Sequence, residues 1–533
     1  MRTPSPAEPD VETLIIGTGF AGLGMAIRLQ SEGFSDFVLI EKEPEIGGTW
    51  FVNTYPGCAC DVQSHMYSFS FEPNPNWSRE FASQPEILAY LKRCTEKYGL
   101  RPKIRFSTQA VGASYDEALC LWRVELARTE DVDRYLAQRG LKPGDTPPRD
   151  DPERPKTRVI TARVVISAMG GLSTPAYPAL EGLERFKGKT FHSQRWDHGY
   201  DLTGKRVAVI GTGASAIQFV PAIQPKAGRI DVYQRSAPWI MPKPDRAISK
   251  AERWLHRKLP ATRLARRAAL YAALESRAVA FVVDPRLMRF GEIPARIFRR
   301  LQVKDPALMR KVTPDYEMGC KRVLLSNDWY PALQKPNVDL ITSGIREVRE
   351  HSIVDAEGNE REVDAIIYGT GFRIADLIPR GVIVGRGGRD VVDGFRYGPE
   401  AYKGSSIAGC PNLFLLIGPN TGLGHNSIVY MIESQVQYVL GALKAMREGG
   451  LAELEVRHSV QTQFNDELQA RSHGTIWEEG GCSSYYLDPQ SGRNIAVWPD
   501  FTFKFRWLTR RFDLENYQGR AKANLPLAVA AVP

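Results

Sequence analysis

Thr13-Leu14-Ile15-Ile16-Gly17-Thr18-Gly19-Phe20-Ala21-Gly22 reads as a buried strand running into a Gly-x-Gly-x-x-Gly turn, and an apolar-periodic stretch continues through Leu29. A second strand pattern, Phe37-Val38-Leu39-Ile40, ends on Glu41, 24 residues after Gly17. The glycines alone would be weak evidence, but strand, turn, helix and acid together make a βαβ dinucleotide fingerprint. Gly17 permits the tight turn, Gly19 lets the backbone approach a pyrophosphate, and Gly22 lets helix and strand pack closely. The helix start offers N–H donors and partial positive charge to phosphates. Glu41 is placed to accept hydrogen bonds from the adenosine ribose hydroxyls.

The pattern recurs at Arg206-Val-Ala-Val-Ile-Gly211-Thr-Gly213-Ala-Ser215-Ala216, with Ala216 in place of the third glycine. Ile230-Asp-Val-Tyr-Gln234-Arg235 then takes the place of the first unit's second strand, and the same count of 24 from Gly211 lands on Arg235. An acid there suits a bare 2′-hydroxyl and repels a 2′-phosphate, whereas a guanidinium binds the phosphate through two parallel hydrogen bonds. The first unit is therefore expected to take FAD. The second is expected to take NADPH in preference to NADH, with Gly211, Gly213, Ser215, Gln234 and Arg235 at its site. The fold class that follows is α/β, with two Rossmann-like dinucleotide-binding domains and a helical insertion in the NADP domain. Arg, Ala and Leu dominate that insertion, 243–313, with helical spacing at Trp254, Leu255, Leu259, Leu264, Ala268 and Tyr271. The expected boundaries are 1–172 for the first part of the FAD domain, 173–365 for the NADP domain, and 366–533 for the second part of the FAD domain with a C-terminal segment.

Between the two fingerprints lies Phe186-Lys-Gly188-Lys-Thr-Phe-His192-Ser-Gln-Arg-Trp196-Asp197. By itself, His192 would be a satisfied loop histidine and Trp196 a packed aromatic. Placed in this order between two dinucleotide motifs, the five positions Phe186, Gly188, His192, Trp196 and Asp197 match the FxGxxxHxxxW(P/D) signature. The chain thus resembles the type I Baeyer-Villiger monooxygenases, and the resemblance runs from Thr13 to about Phe505. It implies an FAD- and NADPH-dependent enzyme that inserts one oxygen of O2 beside a ketone carbonyl, through a C4a-peroxyflavin, to give an ester or lactone. It implies that the 186–197 segment couples movement of the NADP domain to the flavin site, and that Thr49, Trp50, Asp61 and Tyr67 contact FAD. It places Arg322 as the cation that stabilises negative charge during oxygen transfer, Asp61 as its ion-pair partner, and Lys321 on the 2′-phosphate. The nearest competitor is a flavin-containing monooxygenase acting on amine nitrogen or sulfide sulfur. Such enzymes usually lack the Trp-Asp ending and a Lys321-Arg322 counterpart. A disulfide reductase would want a CxxC near the flavin, and none is present.

At 533 residues the chain exceeds one core and suggests two or three domains. The formal charge of +9 is read as serving phosphorylated cofactors, since no helix-turn-helix, zinc finger or RNA-binding signature accompanies it. Seven scattered cysteines argue against a disulfide framework and for a reducing compartment, and no metal site is expected. Met1 to Glu12 is polar and Pro-rich, without the apolar core of a secretory signal, so a cytoplasmic location is expected. The stretch from Ala268 to Val283 is broken by Glu275 and Arg277 and is too short to span a bilayer. The 243–313 block reads as a lid with a solvated basic face or as a surface that meets membrane lipid. Residues 128–157, rich in proline and charge, read as a partly mobile surface insertion. Aromatics at Tyr485, Tyr486, Trp498 and Phe501 either border the substrate or pack the C-terminal segment. The identity of the ketone and the oligomeric state are not encoded in these motifs.

Overall fold

The structure, a computed structural model, describes residues 8–374 and 378–524. Residues 1–7, most of the polar N-terminal stretch, lie outside that range. Two parallel-rich sheets carry the two fingerprints. The first strand, Val11–Ile16, lies between Phe37–Ile40 and Arg158–Ser167, parallel to both, with register Ile16↔Ile40 and Ile16↔Ser167. Leu413–Leu415 adds to the far side of Arg158–Ser167, so the chain's last third completes the sheet its first residues began. Leu14 and Ile15 are fully buried, as strands covered on both faces require. The helix Phe20–Ser31 covers one face and packs against the long helix Ile428–Glu448.

The second sheet orders its strands Val338–Ile341, Arg229–Tyr233, Arg206–Ile210, Ala365–Tyr368 and Lys189–His192, all parallel. One expectation changes here. Ala365–Tyr368 pairs with Arg206–Ile210 and with Lys189–His192, so the second sheet runs three residues past the boundary expected at 365. The Ile-Ile-Tyr-Gly-Thr-Gly string is this sheet's own strand, and the turn after it is where the chain can recross. The 186–197 segment lies within this domain, and its residues 189–192 form the sheet's edge strand.

The 243–313 block is helical as expected, with helices Lys250–Lys258, Pro260–Glu275, Met288–Gln302 and Pro306–Lys311. Ser249 and Glu252 start it with a reciprocal capping box. Glu275, which interrupts the apolar run, points inward. It accepts from Asn426 Nδ2 at 2.7 Å and from the Thr502 hydroxyl at 2.7 Å, fastening the block to the FAD domain's second part. The 128–157 stretch departs from the expectation of a loose insertion. Thr129–Gln138 is a helix whose Val132, Tyr135 and Leu136, spaced i, i+3, i+4, pack on Val111 and Ala127. Arg154 then pairs with Glu125 at 2.5 Å.

The cysteines also hold a correction. Cys320 and Cys482, 162 residues apart, form a disulfide with a Cα–Cα distance of 6.1 Å. The other five cysteines are free and buried. No helix of the described residues is long and apolar enough to cross a membrane.

Candidate active site

Each fingerprint builds a cradle at the start of its helix. Gly17 (φ +107°) and Gly211 (φ +103°) occupy matching turns, and a Cβ on either would lie 2.8 Å from the Ala168 carbonyl oxygen or 2.5 Å from that of Gly369. Only glycine tolerates both the torsion and the approach. In the first cradle Glu41 is buried, and its Oε2 accepts from the Thr18 amide (2.9 Å) and hydroxyl (2.5 Å) while Oε1 accepts from the Glu43 amide (2.9 Å). Burial pushes the Glu41 carboxyl up, against the pull of these bonds. Thr49 and Trp50 open the short helix Thr49–Val52, whose preceding Gly47 amide donates to the Thr18 carbonyl. Trp50 Nε1 donates to the Tyr67 hydroxyl at 3.2 Å, and the Tyr67 ring stands edge-on to Phe20 at the helix start. Thr49, Trp50 and Tyr67 therefore gather around the first cradle, with Gly19 backed against Gly48.

In the second cradle Ser215 precedes the helix Ala216–Ile223. Gln234 is buried, its amide donating to the Lys311 carbonyl at 2.7 Å, and its Oε1 has no partner among the described residues. Arg235 follows, exposed. Lys321 Nζ donates to the Ser236 hydroxyl at 2.8 Å. Burial lowers the Lys321 pKa, and the nearby Arg235 charge lowers it further. Two cations and a hydroxyl thus converge, and the Asp315 carboxylate offsets the effect of burial and Arg235 on Lys321 only in part, an arrangement that an anion would relieve. Ser236 was absent from the sequence reading, and its only signal is its position beside Arg235.

Where the two units meet, Arg322 Nε donates to Asp61 Oδ2 at 2.7 Å. Burial pushes the Asp61 carboxyl up, but the Arg322 guanidinium outweighs it and holds the pKa below the usual range. Asp61 in turn keeps Arg322 charged at any working pH. The Arg322 side chain is 32% exposed and Asp61 26%, so the pair is only partly shielded from solvent. The disulfide at Cys320 ties this segment to the stretch bearing Tyr485 and Tyr486. Of the four C-terminal aromatics, Trp498 packs on Phe505 and Tyr486 is buried in a cluster with Phe281 and Trp477, while Tyr485 is exposed.

The 186–197 segment ends on the second unit. A Cβ at Gly188 would meet the Phe186 ring at 2.5 Å and the Asp364 carbonyl oxygen at 2.6 Å, so the turn into the edge strand needs glycine. His192 is fully buried and its Nδ1 accepts from the Gln194 amide at 3.1 Å, which puts the ring proton on Nε2, beside the Gly371 backbone. Burial holds its pKa down to about 4. Trp196 packs against Phe191 and against Phe219 of the helix Ala216–Ile223. Asp197 pairs with Lys189 at 2.6 Å.

A second contact between the units was missed in the sequence. Gln218, on the helix Ala216–Ile223, accepts from the Tyr55 hydroxyl (3.1 Å) and the Ala59 amide (3.2 Å) and donates to the Ala59 carbonyl (3.1 Å). Gly57 (φ +80°) brings the loop so close that a Cβ would lie 2.8 Å from the Gln218 carbonyl oxygen. The loop that carries Asp61 is thus hung on the second unit's helix. A glutamine inside an apolar helix is the only trace of this in the sequence.

The donors fit both cofactors. The first cradle pairs a glycine turn with a fixed carboxylate, as FAD requires, and the second pairs one with Arg235, Lys321 and Ser236, as a 2′-phosphate requires. Comparisons with known proteins agree. An NAD(P)-binding Rossmann-like domain model matches residues 15–84 and a flavin-binding monooxygenase-like model matches 150–265. A Baeyer-Villiger monooxygenase of Pseudomonas aeruginosa is 54% identical, covering 96% of this chain and 92% of the relative. A Baeyer-Villiger monooxygenase of Streptomyces coelicolor is 47% identical over 95% and 92%. Among solved structures, OTEMO in complex with FAD and NADP superposes with a TM-score of 0.81 at 26% identity, over 96% of this chain and 100% of that one. An oxidised steroid monooxygenase bound to NADP gives 0.79 at 28%, over 96% and 99%. The flavin-containing monooxygenase reading has less support, because these full-length relatives carry the other name. The chain belongs to the Baeyer-Villiger monooxygenases, flavoproteins that work with FAD and NADP(H).

Proposed function

We propose that the Asp61–Arg322 pair is the centre at which this enzyme turns a ketone and O2 into an ester or lactone. When bound, FAD and NADPH supply the redox chemistry that activates oxygen. The chain supplies placement and charge. As the ketone carbon becomes tetrahedral its oxygen gains negative charge, and a fixed guanidinium stabilises that charge without reorganising. Asp61 holds Arg322 in one orientation and compensates its charge in the partly buried site. Arg235, Lys321 and Ser236 select the phosphorylated nicotinamide, and Thr18 sets the Glu41 carboxylate toward a ribose.

His192 and Trp196 act by position. His192 is neutral and enclosed, and Trp196 joins the edge strand to the helix beneath the second cradle, so movement of either is felt across that domain. The cytoplasm is the proposed setting on the supply of reduced nicotinamide alone, since the Cys320–Cys482 bond removes the support that unpaired cysteines would give. The observation that carries this reading is the 2.7 Å ion pair between a loop of the first unit and a segment of the second. Purified enzyme supplied with FAD, NADPH, O2 and a panel of cyclic, linear and aryl ketones should give products heavier by one oxygen atom. Oxidised amines or sulfides with no ester would point to the other monooxygenase chemistry.

A further inference from the structure

The helix Met288–Gln302 is amphipathic in the reverse sense. Its inward face presents Met288, Glu292, Ala295 and Arg299, and two of these four are charged. Glu292 accepts from the Met318 amide at 3.1 Å, and Arg299 lies over the Trp239 ring. Its outward face presents Phe290, Ile293, Ile297 and Leu301, spaced i, i+3, i+7, i+11, at 70%, 49%, 51% and 66% exposure. Four large apolar side chains in one stripe make a surface that folding alone does not explain. Val283 and Leu287, just ahead of the helix, are exposed as well.

Charge says what covers it. Exposed Arg289, Arg296, Arg300 and Lys304 flank the stripe, with Arg296 also pairing with Glu292 at 2.6 Å and Arg289 lying 3.8 Å from Glu317. Residues 243–313 hold 18 Lys and Arg against 6 Asp and Glu, whereas the remaining chain holds 52 against 55. The molecule's whole net positive charge therefore sits in this block. A second copy of the same face would meet it with like charge, and a bare apolar partner would leave the arginines unused. An anionic interface with an apolar interior satisfies both halves.

We propose that the helix Met288–Gln302 docks the enzyme on an anionic phospholipid surface, its apolar stripe entering the acyl boundary and its arginines pairing with headgroups. Ile293, Arg289 and Arg296 also rim a cavity of about 610 Å³ that reaches Glu479 and Gly480. An apolar ketone dissolved in that membrane would be delivered beside the disulfide-tethered segment.

The test is co-sedimentation of the FAD-loaded enzyme with vesicles of phosphatidylcholine alone or mixed with phosphatidylglycerol, at low and high salt. The enzyme should partition onto the mixed vesicles at least about tenfold better than onto neutral ones and be released by salt. The pairs Phe290→Ser/Ile297→Ser and Arg300→Glu/Lys304→Glu should each lose at least about tenfold of that binding, with NADPH oxidation in the absence of vesicles unchanged. Should the first pair fold poorly, the second reads the same surface. Absence of binding to mixed vesicles, or binding that both pairs retain, would overturn the proposal. So would a wild-type dimer in light scattering that Phe290→Ser/Ile297→Ser converts to monomer, since the stripe would then belong to a second copy.

Discussion

The first dinucleotide unit ends its second strand near Glu41, buried and held by three hydrogen bonds from Thr18 and Glu43. The second unit, built on the same strand-turn-helix-strand frame, reaches Arg235, exposed and facing a second cation at Lys321. One carries a preset carboxylate and the other a pair of positive charges that Asp315 offsets only in part. The backbone frame makes both units nucleotide sites. The side chain at one equivalent position decides which nucleotide, and the loops that cross between the units decide what the pair can do together.

That contrast yields separable losses. The largest is expected where the units join. Asp61→Ala leaves Arg322 without its carboxylate, and the ester formed per NADPH consumed should fall by about 100- to 1,000-fold, measured by product mass against absorbance. Next comes stability against pH. His65 and His192 are both pushed down to about 4 by burial, from an ordinary 6.5. The unfolded chain therefore takes up their protons first, and stability is lost as pH falls from about 6.5 to about 4, by roughly 3 kcal/mol per histidine at most. Asp61, whose pKa is held below its ordinary value, loses its contribution only at more acid pH. Chemical denaturation at pH 7 and 4.5 should show His192→Gln with about half the wild-type loss. Arg235→Glu places in the second unit the charge that the first carries, and should cost NADPH about 10- to 100-fold in kcat/KM while leaving NADH little changed and FAD retention intact. The smallest effect is at Gly57→Ala. Its Cβ strains the loop on Gln218, costing about 1–3 kcal/mol of stability and loosening Asp61.

Much of this was legible from the sequence because it is local. Gly17, Glu41, Gly211 and Arg235 lie within two short βαβ windows, where strand periodicity, turn chemistry and a count of residues suffice. The Asp61–Arg322 pair lies 261 residues apart, and no spacing rule reaches that far; family resemblance supplied it. Neither periodicity nor resemblance revealed the Cys320–Cys482 bond, because pairing across 162 residues depends on how the C-terminal segment folds back. Gln218 looked like one more helix residue, and its partners Tyr55 and Ala59 sit in a turn with no pattern of its own. The helix Thr129–Gln138 was obscured by the proline-rich stretch after it, which dilutes its three-residue apolar face. The boundary expected at 365 cuts through the strand Ala365–Tyr368, since a fully buried parallel strand reads alike in either sheet.

The central claim is that a cation held where the two units meet serves oxygen transfer and not cofactor reduction. It is tested most directly by Arg322→Ala, following flavin reduction by NADPH without oxygen and ester yield with it. The account predicts reduction within a few-fold of wild type and ester below detection, with the consumed NADPH appearing as hydrogen peroxide. Ester formation at the wild-type rate would contradict it.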